Sequence, residues 1–231
     1  MAKYLLRHVP SASWWAQHVV WFGPCCSIIP GAQNQYDKMY SPNLLGPSTA
    51  SKQRTWEGQK INWFMVLSRG VEHVEVMPAE WKLDGDGLAL FVERLPGVLR
   101  KMLGREARLP RNVFTDRGTG MCIPTGLVVV KYNAAIDAND FHLYWGNDAQ
   151  RQSPDMGDIL LHETAVSWFR SVMKDEKPVV PPWEETLAQW TQRARRVTRA
   201  INRDYDVAGL CREFPQRLAD VVERQGDRLR K

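Results

Sequence analysis

Two acidic residues carry the strongest chemical signal in the sequence: Asp116 in VFTDRGTG and Glu163 in GDILLHETAVSWF. Asp116 follows residues 112–115, a short stretch that reads as a strand, so it falls at the strand's C-terminal end, where α/β sheets bind ligands. Glu163 falls within a helical pattern. One acid on a strand tip and one on a later helix can clamp hard divalent cations, because magnesium takes oxygen donors and keeps water or substrate phosphate in its remaining positions. Two such ions about 3.5–4 Å apart can activate a water or a 3′-hydroxyl and stabilise the leaving oxygen of a phosphodiester. That chemistry calls for a third acid on the first strand. The first apolar run, residues 18–22 of HVVWFGPCCSIIPG, delivers Gly23 instead, followed by Pro24. Taken alone, an aspartate before a glycine-rich turn is more often a turn-former than a ligand.

Rival chemistries fit less well. Arg117-Gly118-Thr119-Gly120 lacks the Gly-Lys-Ser/Thr ending of a phosphate loop. His162-Glu163 is not a zinc-protease pair, because position 166 is Val where a second histidine is needed. Asp84-x-Asp86-Gly87 lacks the remaining ligand spacing of a calcium loop. With five histidines and no Ser/His/Asp arrangement, nucleophilic hydrolysis is disfavoured.

The elements that must position the two acids follow from periodicity. After the first strand, residues 25–29 either continue it or form its hairpin partner, with Pro30-Gly31 as the turn. Residues 41–57, rich in Ser, Pro and Gly, read as a loop. Residues 60–67 and 71–77 are apolar and β-branched and are separated by Ser68-Arg69-Gly70, a hairpin signal. Asp84-Gly85-Asp86-Gly87 supplies a turn and an N-cap for a helix with Leu88, Phe91, Leu95, Leu99 and Leu103 on one face; Pro96 is expected to kink or split it. A helix over 125–138 and a strand over 141–145 follow. Residues 157–174 read as a helix burying Ile159, Val166, Phe169 and Met173, closed by Pro178, Pro181 and Pro182. Trp183, Leu187, Trp190, Ala194, Val197 and Ile201 form an amphipathic stripe, and Phe214, Leu218 and Val222 mark a last helix. The alternation of strands and helices predicts a mixed α/β layer with a central sheet.

Composition bounds the class. The hydrophobic fraction is 44% and the charged fraction 25%, as expected of a packed core. The ten tryptophans are read mostly as core and helix-packing residues. The net charge of +5 is concentrated at the end: residues 193–231 hold 11 basic and 6 acidic side chains, a surplus of five. A basic tail suits an anionic partner such as DNA, with Arg193, Arg195, Arg196, Arg199 and Arg203 as candidate contacts; a solvated helix surface is the bland alternative. Cys25 and Cys26 are adjacent and no C-x-x-C spacing occurs, so Cys25, Cys26, Cys122 and Cys211 read as reduced thiols of an intracellular protein. No run approaches membrane-span length and no signal pattern opens the chain. The expected organisation is a tail over 1–17, a domain over 18–177, and a basic helical C-terminal extension over 178–231.

From Val19 onward, the sequence resembles the catalytic region of Tc/mariner-type DDE transposases. VVWFGPCCSIIPGAQNQYDKM is similar to that family's first catalytic strand, INWFMVLSRGVEHVEVM to its next two strands, and NVFTDRGTG to the strand ending in the second Asp. SPDMGDILLHETAVSWFRSVM is similar to the segment leading to the final Glu, and FPQRLADVVERQGDRLRK to a Pro-Arg-Arg-Leu stretch near the end. No single motif is specific; their order carries the resemblance. It implies an RNase H-like fold, metal-dependent DNA cleavage and transfer as the ancestral activity, and a Mg2+ or Mn2+ site that is weak or absent here. Asp116 takes the place of the second acid and Glu163 that of the third, with Asp158 as the alternative and Asp155 more remote. The first acid maps to Gly23, which cannot bind metal, and Asp37 lies too far along the chain to replace it. The family's N-terminal helix-turn-helix region has no counterpart before the first strand. These departures imply a DNA-binding remnant with impaired catalysis, located in the nucleus if eukaryotic. No membrane contact or small-molecule cofactor is expected, and a homo-oligomer is allowed. A non-enzymatic nucleic-acid-binding or interaction module, and an active nuclease recruiting Asp37, are the competing readings.

Overall fold

The computed structural model describes residues 2–8, 11–29, 59–115, 127–143, 159–180 and 184–225. In chain order the described elements are α1 (Ala2–His8), α2 (Ala12–His18), β1 (Val19–Ile29), β2 (Gln59–Ser68), β3 (Val71–Val76), α3 (Gly85–Leu103), β4 (Asn112–Thr115), α4 (Leu127–Ala138), β5 (His142–Leu143), α5 (Leu161–Asp175), α6 (Leu187–Asp204), α7 (Val207–Arg212) and α8 (Phe214–Glu223). The strands form one mixed sheet in the order β3-β2-β1-β4-β5. β1 runs antiparallel to β2, as does β2 to β3, whereas β1–β4 and β4–β5 are parallel.

β1 and β2 are apolar almost without alternation because both faces of the sheet are covered. On one face Val20, Phe22, Phe64, Val66 and Val113 meet Phe91, Val92, Leu95 and Leu99 of α3 and Tyr132 and Ile136 of α4. Phe64 stacks on Phe91 with ring centroids 3.6 Å apart. On the other face Val19, Trp21, Trp63, Met65 and Phe114 meet α2 and α5–α8 through Trp15, Phe169, Trp190, Ile201 and Phe214. Trp15, Trp21, Trp63 and Trp190 are fully buried, so these four tryptophans are packing residues.

The β2–β3 hairpin turns through Arg69 (φ 50) and Gly70 (φ 74), with Ser68 paired to Val71. Two successive left-handed residues make the tight turn that matches the twist of the flanking strands. Asp84 caps α3 by accepting from the Gly87 backbone N–H at 2.8 Å.

Several expectations are corrected. The first strand begins at Val19, not at residue 18, with His18 closing a helix; of the two alternatives for residues 25–29, continuation of the strand is the one observed. Pro96 does not split α3; burial of Val92, Leu95, Val98 and Leu99 on either side holds the helix together where the proline removes one hydrogen bond. The helix before the last proline cluster starts at Leu161, not at 157. From the segment before the first strand, Leu5 and Trp15 enter the main core, and Trp15 lies 4.4 Å from Phe214 between ring centroids. The helices after residue 178 also pack on the sheet. Trp190, Val197, Ile201, Phe214 and Leu218 belong to the same core as β1 and β2. The loop over 41–57, the Pro30-Gly31 turn, Asp37, Cys122, residues 144–145, Pro181, Pro182 and Trp183 lie outside the described residues.

Candidate functional site

β1 and β4 run side by side with Phe22 opposite Thr115, the last described residue of β4. Gly23 follows Phe22, so it lies where the parallel β1–β4 pairing ends, but it is not the tip of the strand expected from the sequence, because β1 continues to Ile29 and Gly23 pairs with Met65 of β2. Strand alternation turns Gly23 to the same face as Trp21, the face covered by α5. α5 begins at Leu161, and its first turn holds His162 and Glu163.

The two elements meet at a single close approach. A β-carbon added to Gly23 would lie 2.3 Å from His162 Nε2 and 2.6 Å from His162 Cδ2. No real β-carbon tolerates such approaches, so glycine at 23 and the imidazole at 162 occupy one side chain's worth of space between them. His162 is 1% exposed, and neither ring nitrogen has a hydrogen-bond partner among the described residues. Burial pushes its imidazole down to about 3, so the ring is neutral at physiological pH. Glu163 turns outward, with its side chain 43% exposed and Oε1 3.7 Å from His162 Nε2. That separation is beyond hydrogen-bond reach. Cys25, two residues beyond Gly23, packs against the same core, and burial pushes its thiol up to about 12 despite the opposing influence of Arg170. A thiol held protonated in this way is not a nucleophile at neutral pH.

Of the sequence-predicted site positions, Gly23 and Glu163 are therefore brought near one another, where the parallel β1–β4 pairing ends. Asp116, Asp155 and Asp158 lie outside the described residues. Among the described residues no group of three or more His, Cys, Asp or Glu side chains able to hold a metal occurs. The described part of the site does not fit a two-magnesium centre. The place from which a first carboxylate would project is filled by a neutral imidazole, and magnesium demands oxygen donors.

His162 was missed as a site residue because the sequence offers it only as half of a failed zinc-protease motif. The signal that finds it is spatial: a glycine on a strand that is otherwise lined by large residues leaves room, and something must fill it.

The five arginines separate sharply. Arg193 is buried and cannot meet a phosphate. Its guanidinium donates to Glu185 Oε1 and Oε2 at 2.7 and 2.6 Å and to the carbonyls of Met173 and Glu176 at 3.1 Å each. This side chain is a structural clamp between α6 and the end of α5, which corrects its assignment as a DNA contact; its neighbours in the amphipathic pattern gave no sign of the buried partner. Arg196 pairs with Glu176 at 3.0 Å and Arg203 with Asp204 at 2.7 Å, both at the surface. Arg195 and Arg199, four positions apart on the outward side of α6, are exposed and make no ion pair with a described residue. Among the described residues no helix is long and apolar enough to cross a membrane. No protein-family model matches the chain, and no curated protein matches it at a significant level.

Proposed function

We propose that this chain is a transposase-derived, RNase H-like nucleic-acid-binding domain that does not cleave DNA by the two-metal route. The observation that carries the reading is the sheet itself. Its order, β3-β2-β1-β4-β5, with an antiparallel β1-β2-β3 meander and parallel β1-β4-β5, makes a mixed central sheet flanked by helices, and a sheet of that kind is what the DDE resemblance implies. The same arrangement brings the glycine in the first-acid position against the helix that bears Glu163. The reading requires Asp116 to face that side as well.

Loss of cleavage follows from charge and space. Two-metal catalysis needs a carboxylate that bridges the ions activating the nucleophile and stabilising the leaving oxygen. Here that ligand is absent and a ring occupies its place. DNA binding is ascribed to the exposed arginines of α6, Arg195 and Arg199, helped by the surface pairs at Arg196 and Arg203, whose acidic partners are exposed enough to exchange for phosphate.

The experiment combines two measurements on the full chain. Affinity for a random-sequence duplex is followed as salt rises, and plasmid nicking is assayed with magnesium and with manganese. Binding that falls steeply with salt, together with no nicking, is the expected result. Metal-dependent nicking by the wild-type chain refutes the loss of cleavage, and absence of binding at low salt refutes the nucleic-acid partner.

A further inference from the structure

We infer that Arg170, on the outer side of α5, holds a phosphate of the nucleic-acid backbone, so that a bound strand passes over the continuation of β1 beside Gly23 as well as along α6. The inference rests on the proposed nucleic-acid reading and adds to it a contact on a second helix.

Arg170 is an arginine that the fold covers in part and does not use. Among the described residues, the arginines that are buried or partly buried are Arg69, Arg170, Arg193, Arg196 and Arg217. All but Arg170 have polar partners. Arg69 donates to the carbonyls of Gln17 and Arg108, Arg193 and Arg196 pair with Glu185 and Glu176, and Arg217 pairs with Glu213. Arg170 makes no ion pair and no hydrogen bond with a described residue, and its Nε is wholly covered. The two Nη groups are not covered in this way and open to solvent. Covering a donor without a partner is unfavourable, and nearly all such donors are satisfied by protein, water or a bound ion. A guanidinium stays charged and presents a planar fork that matches phosphate.

The helix fixes where that fork stands. Trp168 marks the side of α5 turned towards the C-terminal helices, because its ring centroid lies 5.1 Å from that of Tyr205, which closes α6. Arg170 follows two residues later, about 200° further round the helix. It therefore leans to the other side, towards β1, where its charge opposes the upward shift that burial gives the Cys25 thiol. Cys25 lies two residues beyond Gly23, in the stretch of β1 that continues past its pairing with β4.

The surrounding surface suits the same ligand. Ser167 and Ser171 are exposed on the same flank, each within one turn of Arg170, and Lys174 follows one turn beyond it. No acid occurs in α5 between Glu163 and Asp175. Guanidinium, ammonium and hydroxyl groups are the side chains that contact backbone phosphate, and such contacts position the nucleic acid without reading its sequence. α5 and α6 cover the same face of the sheet. A backbone crossing both helices meets Arg170 on one and Arg195 and Arg199 on the other.

The test follows binding of a random-sequence duplex by the full chain as salt rises, with circular dichroism confirming the fold of each variant. Arg170→Gln is expected to lower the salt slope by about 0.9, the value for one phosphate no longer neutralised, whereas Arg170→Lys keeps the charge and the slope. Arg100→Gln removes an exposed charge from α3, over the opposite face of the sheet, and is expected to leave the slope unchanged. Ser171→Glu changes an exposed position, is expected to weaken binding at low salt at least threefold, and decides the matter if Arg170→Gln fails to fold. A wild-type slope in folded Arg170→Gln, wild-type affinity in Ser171→Glu, or an equal loss in Arg170→Gln and Arg170→Lys overturns the inference. Each of these outcomes leaves duplex binding by the wild-type chain in place, so the nucleic-acid reading survives them. Absence of duplex binding by the wild-type chain overturns that reading and the inference with it.

Discussion

Substituting Gly23 probes the approach of β1 to α5 directly, because the space a new side chain would enter is already filled. In Gly23→Ala the β-carbon lies 2.3 Å from His162 Nε2, more than 1 Å inside ordinary van der Waals separation, which begins near 3.4 Å. The ring is 1% exposed, so it cannot move aside into solvent without disturbing what covers it. Overpacking of this kind costs about 1–3 kcal/mol. Replacing glycine in a strand with alanine returns up to about 1 kcal/mol through the unfolded chain, provided the backbone is compatible. The net expectation is a loss of about 1–2 kcal/mol. His162→Ala removes a buried ring, which leaves a cavity, but also removes two unpartnered nitrogens. These terms oppose, and the expected loss falls below the roughly 3–5 kcal/mol typical of a buried phenylalanine truncated to alanine. In the double variant the new methyl enters the space the ring vacated, so the two losses do not add. The coupling expected is about 1–3 kcal/mol in favour of the double variant. Urea unfolding of the four proteins, followed by tryptophan fluorescence and circular dichroism, measures it. Additivity within about 0.5 kcal/mol refutes the shared-space argument.

Three further outcomes are expected from the same structure. Gly23→Asp alone is expected to bind manganese no better than the wild-type chain because the ring blocks the carboxylate, whereas Gly23→Asp combined with His162→Ala binds it measurably by calorimetry; equal behaviour of the two variants counts against the blocking role. Arg195→Ala and Arg199→Ala are each expected to lower the salt slope of DNA binding by about 0.9 for every phosphate that is no longer neutralised, whereas Arg193→Ala strands the buried Glu185 carboxylate and destabilises the fold by about 3–5 kcal/mol, read as a lower denaturation midpoint. Glu72 is buried on β3 with neither carboxylate oxygen hydrogen-bonded among the described residues, and burial pushes its carboxyl up to about 8. The folded state therefore holds a proton that the unfolded chain releases near pH 4.5, so this group's contribution is complete below pH 4.5 and is lost as pH rises through 8. Glu72→Gln is expected to flatten the stability profile between those limits and to raise stability at pH 8 by several kcal/mol, and an unchanged profile would show that Glu72 is not protonated in the fold.

Most strands and helices were legible because each announces itself locally. The β2–β3 hairpin was signalled by β-branched runs around Arg69-Gly70, and α3 by the Asp84 cap and its leucine stripe. What sequence could not reveal was pairing between distant residues. Arg193 sits in an amphipathic helix like its neighbours, and only the fold places Glu185, Met173 and Glu176 around it. Trp15 precedes the first strand in a stretch with no strong helical period, and its burial depends on Phe214, near the other end of the chain. The same holds at the site. The glycine at 23 is visible in the sequence as the absence of an acid, but the filling of its side-chain space by a ring from residue 162 is a tertiary fact that no spacing encodes.

On the proposed reading, the exchange of a carboxylate for an imidazole beside Gly23 has an energetic logic beyond space. Carboxylates gathered to hold two divalent ions repel one another when the ions are absent, so such a site is stable only in the presence of metal. A neutral ring carries no such penalty. It costs the unmade hydrogen bonds of its two nitrogens, on the order of 1–3 kcal/mol each, and offsets part of that by burying apolar ring carbons against Gly23 and the α5 side of the core. On the proposed reading, the chain has therefore traded a metal-dependent catalytic end for one that closes without metal. It follows that added manganese should leave the unfolding midpoint of the wild-type chain where it is, while the combined Gly23→Asp and His162→Ala variant should gain stability with manganese. Matching manganese responses in the two proteins would mean that the imidazole is not what closes this end of the pairing to hard ions.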